Sequence, residues 1–240
     1  MSKQFWGVIL AIVLVFTGVI VASGNKNGGT GSNAKATSHI EGQSKDNITL
    51  VEYGDYECPY CGDYYPTVKQ VAAEYATKIQ FQFRNYPLVN LHQNAFAGAR
   101  AAEAAALQGK FWQMHDLLYD QNQAYYASGQ TLANWVGSND PESYFIQDAR
   151  QLGLNVGQFQ TDYASDKVNN AINADLAAGN KVNVQGTPTF FLYVNGKKQL
   201  LSVGNTKAAF EQIINAAIAK QAGKTTTAPT SAGTTEQTKK

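Results

Sequence analysis

Apolar and polar positions along this chain fall into three regimes. From Phe5 to Ala22 (FWGVILAIVLVFTGVIVA) the run is almost wholly apolar, and no charge occurs between Gln4 and Asn25. As a helix those 18 residues reach roughly 27 Å, about the thickness of a hydrocarbon core. Lys3 and the amino terminus precede the run, so residues 1–4 are expected inside the cell and the remainder outside. A retained single-pass transmembrane helix is the first expectation. The competing one is a signal peptide cut near Ala22, although the run exceeds a usual signal core and lacks a small-x-small pattern. On either reading the body is extracytoplasmic. Ser23 to about Asp46 is polar and reads as a flexible linker, and Gly223 to Lys240 reads as a disordered tail.

Between them, roughly residues 47–222 suffice for one well-buried domain. Ile48 to Tyr53 alternates and predicts a strand, with Ile48, Leu50 and Glu52 on its inward face. A helix opens at the cysteines of Cys58-Pro-Tyr-Cys61. Its stripe Tyr64, Val68, Val71 and Tyr75 runs to about Thr77, with Pro66 expected to kink it. Ile79, Phe81 and Phe83 alternate with Gln80, Gln82 and Arg84, giving a second, half-buried strand. From about 92 to 180 no strand signal occurs. Periodic stretches at 92–108, 110–121, 141–152, 156–164 and 166–179 predict a block of helices. Thr189–Val194 and Gln199–Val203, joined through Asn195-Gly196, predict a hairpin. Asn205 or Thr206 can cap a last helix with the buried stripe Phe210, Ile213, Ile214, Ala217 and Ile218. The order βαβ, helical insertion, ββα predicts an α/β thioredoxin fold interrupted between its halves.

A net charge of +1 argues against a nucleic-acid partner. The chain has two cysteines, and a bridge spanning so few residues closes almost no loop, so the pair serves chemistry rather than stability. At a helix start, with Pro59 in the first helical position, free N–H groups stabilise a thiolate on Cys58. Cys58 is therefore the expected exposed nucleophile, and Cys61, one turn on, the buried resolving thiol. Half a zinc site is the bland alternative. Its further ligands could come only from His39, His92 and His115, whose spacing fits none. His92, opening a helix, and His115, in an aromatic-rich helix, read as capping or packing residues. No metal or cofactor is expected. Glu52, facing inward, should have its pKa raised by burial and exchange protons with Cys61. Thr187-Pro188, just before a strand, is a candidate cis bond that would present the Thr187 backbone to a substrate peptide. Pro59 and Tyr60 complete the expected substrate-contacting set.

These residues resemble the DsbA-like branch of the thioredoxin superfamily over roughly residues 40–222. The segment Val51 to Cys61 is similar to its active site, with an acid six residues before the first cysteine. Ala101–Ala105, Gln108–Trp112 and His115-Asp116 are similar to the start of its helical insertion, and Gly186–Phe191 with Asn195-Gly196 to its cis-proline segment. Pro66 resembles the helix-kinking proline of thioredoxins. The resemblance implies oxidation, reduction or shuffling of disulfides in cysteine-containing exported proteins. It also implies a membrane partner of DsbB or vitamin-K-epoxide-reductase type that resets the pair. The strongly oxidising relatives have His where Tyr60 stands. Glu52, Asp55, Glu57 and Asp63 crowd the site, with no Lys or Arg between Leu50 and Val68. Negative charge raises a thiol pKa, so a potential below the roughly −120 mV of the strongest family oxidant is expected. Disulfide donation is the leading reading. A reductase or isomerase kept reduced, and a binding module with incidental cysteines, stay open.

Overall fold

The computed structural model describes residues 35–44 and 47–225 of the chain. The apolar run 5–22 and the tail from 226 lie outside them. Among the described residues no helix is long and apolar enough to cross a membrane.

Five strands form one mixed sheet in the order β1-β3-β2-β4-β5. They are β1 (His39–Gly42), β2 (Ile48–Gly54), β3 (Gln80–Asn85), β4 (Thr189–Val194) and β5 (Lys197–Leu201). β2 runs parallel to β3, with Leu50 opposite Phe81, and antiparallel to β4, with Leu50 opposite Leu192. Helix α1 (Pro59–Glu74) joins β2 to β3. The helical block separates β3 from β4 as α2 (Ala95–Ala106), α3 (Phe111–Ala127), α4 (Pro141–Gln151), α5 (Val156–Tyr163) and α6 (Asp166–Lys181). Helix α7 (Lys207–Thr225) closes the fold. It passes the expected boundary at 222. Asp140, Asn155 and Ser165 cap α4, α5 and α6 by accepting from the backbone N–H groups of Ser143, Gln158 and Val168.

β2 is buried on both faces. Ile48 and Leu50 join one cluster with Val68 and Val71 of α1 and Phe210 and Ile214 of α7. Val51 and Tyr53 join another with Tyr86, Val184 and Phe191. Each such large apolar side chain, fully buried, contributes roughly 1.5–3 kcal/mol. This double cover carries the strand's end, and the cysteine turn after it, into the interior.

Three expectations need correction. The predicted linker contains a strand, β1, whose His39 lies opposite Phe83 and stacks on Phe111 at 3.5 Å. Just upstream, Thr37 N and Oγ1 donate to the buried Asp175 carboxylate at 2.7 and 2.6 Å. The strand spans four residues, too few for alternation to register. β5 begins at Lys197 rather than Gln199, because Asn195 and Gly196 adopt φ of 50° and 75° and turn the chain at once. β3 is partly covered on its polar face too: Gln82 is buried, Gln80 and Arg84 are half-buried, and Arg84 pairs with Asp175 of α6 at 3.1 Å.

Candidate active site

Strand β2 ends at Gly54, and residues 55–58 turn into α1 with Cys58 at the N-cap (φ −68°, ψ 124°) and Pro59 opening the helix. A Cβ at Gly62 would collide with the Asn122 carboxamide of α3, so glycine lets α3 approach the cysteine turn closely. Asn122 Nδ2 then donates to Tyr56 O at 2.9 Å and to Cys58 O at 3.4 Å, fixing the turn from below.

Both cysteines are free thiols. Cys58 was expected to be exposed, but it is only 3% exposed and Cys61 is 0%. The cover comes from the peptide preceding Pro188, which is cis as expected, with Cys58 Sγ 3.5 Å from Thr187 O. The expected asymmetry of the pair nevertheless holds. The Cys58 thiol is lowered to about 6, chiefly because the Cys61 thiol donates to its sulfur. Burial opposes this, and contacts from Thr187 and the Cys61 N–H add to the lowering. A thiol lowered that far is mostly thiolate at pH 7. Burial and the neighbouring Cys58 push the Cys61 thiol well above its ordinary value.

Glu52 is 3% exposed. Burial, and secondarily Cys58, raise its carboxyl to about 8. It lines a small cavity of about 20 Å³ with Lys69, Asp116, Glu41 and His115, room for roughly one water. Two of those lining residues, Lys69 and Asp116, pair at 2.9 Å. The carboxyl therefore sits between the buried thiols and a polar outlet. Pro59 is half-buried and Tyr60, 67% exposed, stands open beside the cysteines.

The acidic crowd differs from its sequence appearance. Only Asp63 is exposed; Asp55 and Glu57 are buried. Asp55 Oδ1 accepts from Glu57 N, and Oδ2 accepts from Leu88 N at 2.9 Å. His92 Nδ1 lies 2.8 Å from the same Oδ2. Glu57 accepts from Asn94 N and Gly137 N. The Asp55 charge raises Cys58 only as the smallest of its influences. His92 does not cap a helix: α2 starts at Ala95 with Asn94 at its N-cap. His115 packs as expected, buried against Tyr56 OH at 3.0 Å, its pKa lowered to about 3 by burial. Among the described residues no group of three or more His, Cys, Asp or Glu is arranged to hold a metal.

Sequence reading missed Asn122 and the Asp55–His92 pair. Nothing local announces the former. For the latter, acids that flank a cysteine and must be paired once buried were the available signal. Together the groups form a nucleophilic thiol, a resolving thiol, a proton-holding carboxyl and a backbone carbonyl at one end of the sheet. Such a set can carry thiol–disulfide exchange.

The thioredoxin family pattern matches residues 34–216. The chain is similar to the Na(+)/H(+) antiporter NhaA 3 of Salinispora tropica, 36% identical over 160 residues, covering 67% of this chain and 22% of the antiporter. It is also similar to NhaA 1 of Mycolicibacterium gilvum, 34% identical over 163 residues, covering 67% and 24%. It thus spans less than a quarter of these relatives' length. Its fold is similar to a thioredoxin-like oxidoreductase from Silicibacter pomeroyi (TM-score 0.59, 24% identity, 75% of this chain and 91% of that one). It is likewise similar to BdbD from Bacillus subtilis (0.61, 19%, 78% and 100%) and to α-DsbA1 of Wolbachia pipientis (0.62, 17%, 79% and 94%). The chain belongs to the thioredoxin family and has the fold of its DsbA-like thiol–disulfide oxidoreductases.

Proposed function

We propose that this protein is an extracytoplasmic oxidase that donates the Cys58–Cys61 disulfide to cysteine-containing exported proteins. One observation carries the reading: the Cys58 thiol is lowered to about 6 while Cys61 is raised. A stabilised Cys58 thiolate favours the reduced form, which makes the disulfide an oxidant. A substrate thiolate attacks Cys58 Sγ, the Cys58–Cys61 bond breaks, and Cys61 leaves. Glu52, still protonated at neutral pH, supplies the proton Cys61 takes up. A second substrate thiolate attacks the substrate sulfur of the mixed disulfide and expels Cys58 as thiolate. The substrate loses two electrons, and the cysteine pair gains them. Thr187 O, already on Cys58, sets where an extended substrate backbone aligns, and Pro188, Pro59 and Tyr60 border it. The run 5–22 anchors the chain in the membrane, where a DsbB- or vitamin-K-epoxide-reductase-type partner takes the electrons away.

Strength follows from the thiol. Its pKa lies between the roughly 3.5 of the strongest family oxidant and the roughly 7 of thioredoxin, which supports an intermediate potential. The test mixes the oxidised protein with a reduced, unfolded multi-cysteine protein and follows recovery of the substrate's activity. Equimolar transfer is expected, and Cys61→Ala mixed with the oxidised, disulfide-containing substrate should trap a mixed disulfide, Cys58 thiolate displacing one substrate sulfur with no Cys61 left to displace the other. The absence of both transfer and trapping would favour a binding module.

A further inference from the structure

Asp55 ties the cysteine turn together. Its carbonyl accepts from Cys58 N at 3.2 Å, and its backbone N–H reaches the Cys61 sulfur. Its side chain is 0% exposed, and of its three partners only His92, 17% exposed, can change charge. We propose that His92, acting through the Asp55 carboxylate, tunes the charge beside Cys58, so that the oxidising strength of the pair falls as His92 loses its proton. His92 is a positioning residue, not a catalytic one. With His92 protonated, the pair with Asp55 is neutral; with it neutral, the carboxylate faces the Cys58 thiolate uncompensated. The proposal rests on the cysteine pair cycling between disulfide and dithiol, as in the proposed function.

The groups facing His92 agree in sign. Asp55, Glu57 and Cys58 all raise its basicity, Asp55 most through the hydrogen bond, while burial opposes them. From α3, the Tyr126 hydroxyl donates to Glu57 O, and its pKa, raised to about 12 by burial, keeps it neutral. Because Cys58 thiolate favours the His92 proton, the His92 proton must equally favour the thiolate. Reduction of the disulfide then takes two electrons from a substrate dithiol, places one proton on Cys61 and adds a fraction of a proton on His92. This charge is what Tyr60, in place of histidine, does not supply.

The test uses two titrations of the folded chain. The His92 ring is followed by NMR in oxidised and reduced wild type. Cys58 thiolate is followed by ultraviolet absorbance in wild type, His92→Gln, Asp55→Asn and the double variant. His92 is expected to titrate at higher pH in the reduced protein. His92→Gln should raise Cys58 by a few tenths of a pKa unit, about a twofold loss of thiolate at fixed pH below its midpoint. In the Asp55→Asn background the same substitution should do almost nothing. Identical His92 titrations in the two redox states overturn the proposal, and this reading stands even if a variant fails to fold. An unchanged Cys58 in folded His92→Gln overturns it as well. Neither titration involves a substrate protein, so failure of disulfide donation and failure of this coupling remain separate results.

Discussion

Replacing Glu52 with glutamine removes a buried acid while keeping its shape. In the dithiol form its carboxyl sits near 8 rather than 4.5, mainly because burial penalises the charge. At 1.36 kcal/mol per unit that separation is worth about 5 kcal/mol. The unfolded chain releases this proton above about 4.5, whereas the folded one keeps it to about 8. Between those values the unfolded state binds fewer protons, so Glu52 makes stability fall as pH rises. Glutamine does not titrate. Glu52→Gln should therefore match wild type near pH 4.5 and exceed it by about 3 kcal/mol at pH 7, levelling off above 8. Urea unfolding of both reduced proteins from pH 4.5 to 9 reads this as a midpoint gap on the order of 1 M at neutral pH. A gap that does not grow with pH, or a less stable variant at pH 7, would refute the burial argument. The same variant should form the mixed disulfide with substrate more slowly, on the order of a hundredfold at pH 7, because Cys61 then leaves without its proton donor.

Two further substitutions test the scaffold beneath the site. Asn122→Ala removes the donor to Tyr56 O and Cys58 O and should cost about 1–3 kcal/mol in denaturant unfolding. Asp175→Ala strands Arg84, 3.1 Å away, with the Thr37 and Asn85 donors. It should cost about 3–5 kcal/mol and speed amide exchange from Thr37 to Gly42.

Much of this site was legible because its parts are local. The alternation of Ile48 to Tyr53 and the α1 stripe come from neighbouring residues, and the Cys58–Cys61 spacing fixes both thiols on one helix start. Glu52 followed from strand parity alone, and the cis peptide at Pro188 from its place before a strand. What escaped depends on distant partners. β1 is a strand because β3 pairs with it, and Thr37 meets Asp175 across 138 positions. Cys58 is covered by Thr187, 129 positions away. Asp55 and Glu57 look like surface acids until residues 88–94 and Gly137 arrive with amides and an imidazole. Lys197 and Lys198 hid the start of β5, since an edge strand tolerates charge where a central one does not.

The most direct measurement is the redox equilibrium of Cys58–Cys61 against glutathione at pH 7. A disulfide donor with a Cys58 thiol near 6 predicts a potential between roughly −120 and −270 mV. A value at or below roughly −270 mV would make the pair a reductant, and one at or above roughly −120 mV would contradict its intermediate strength.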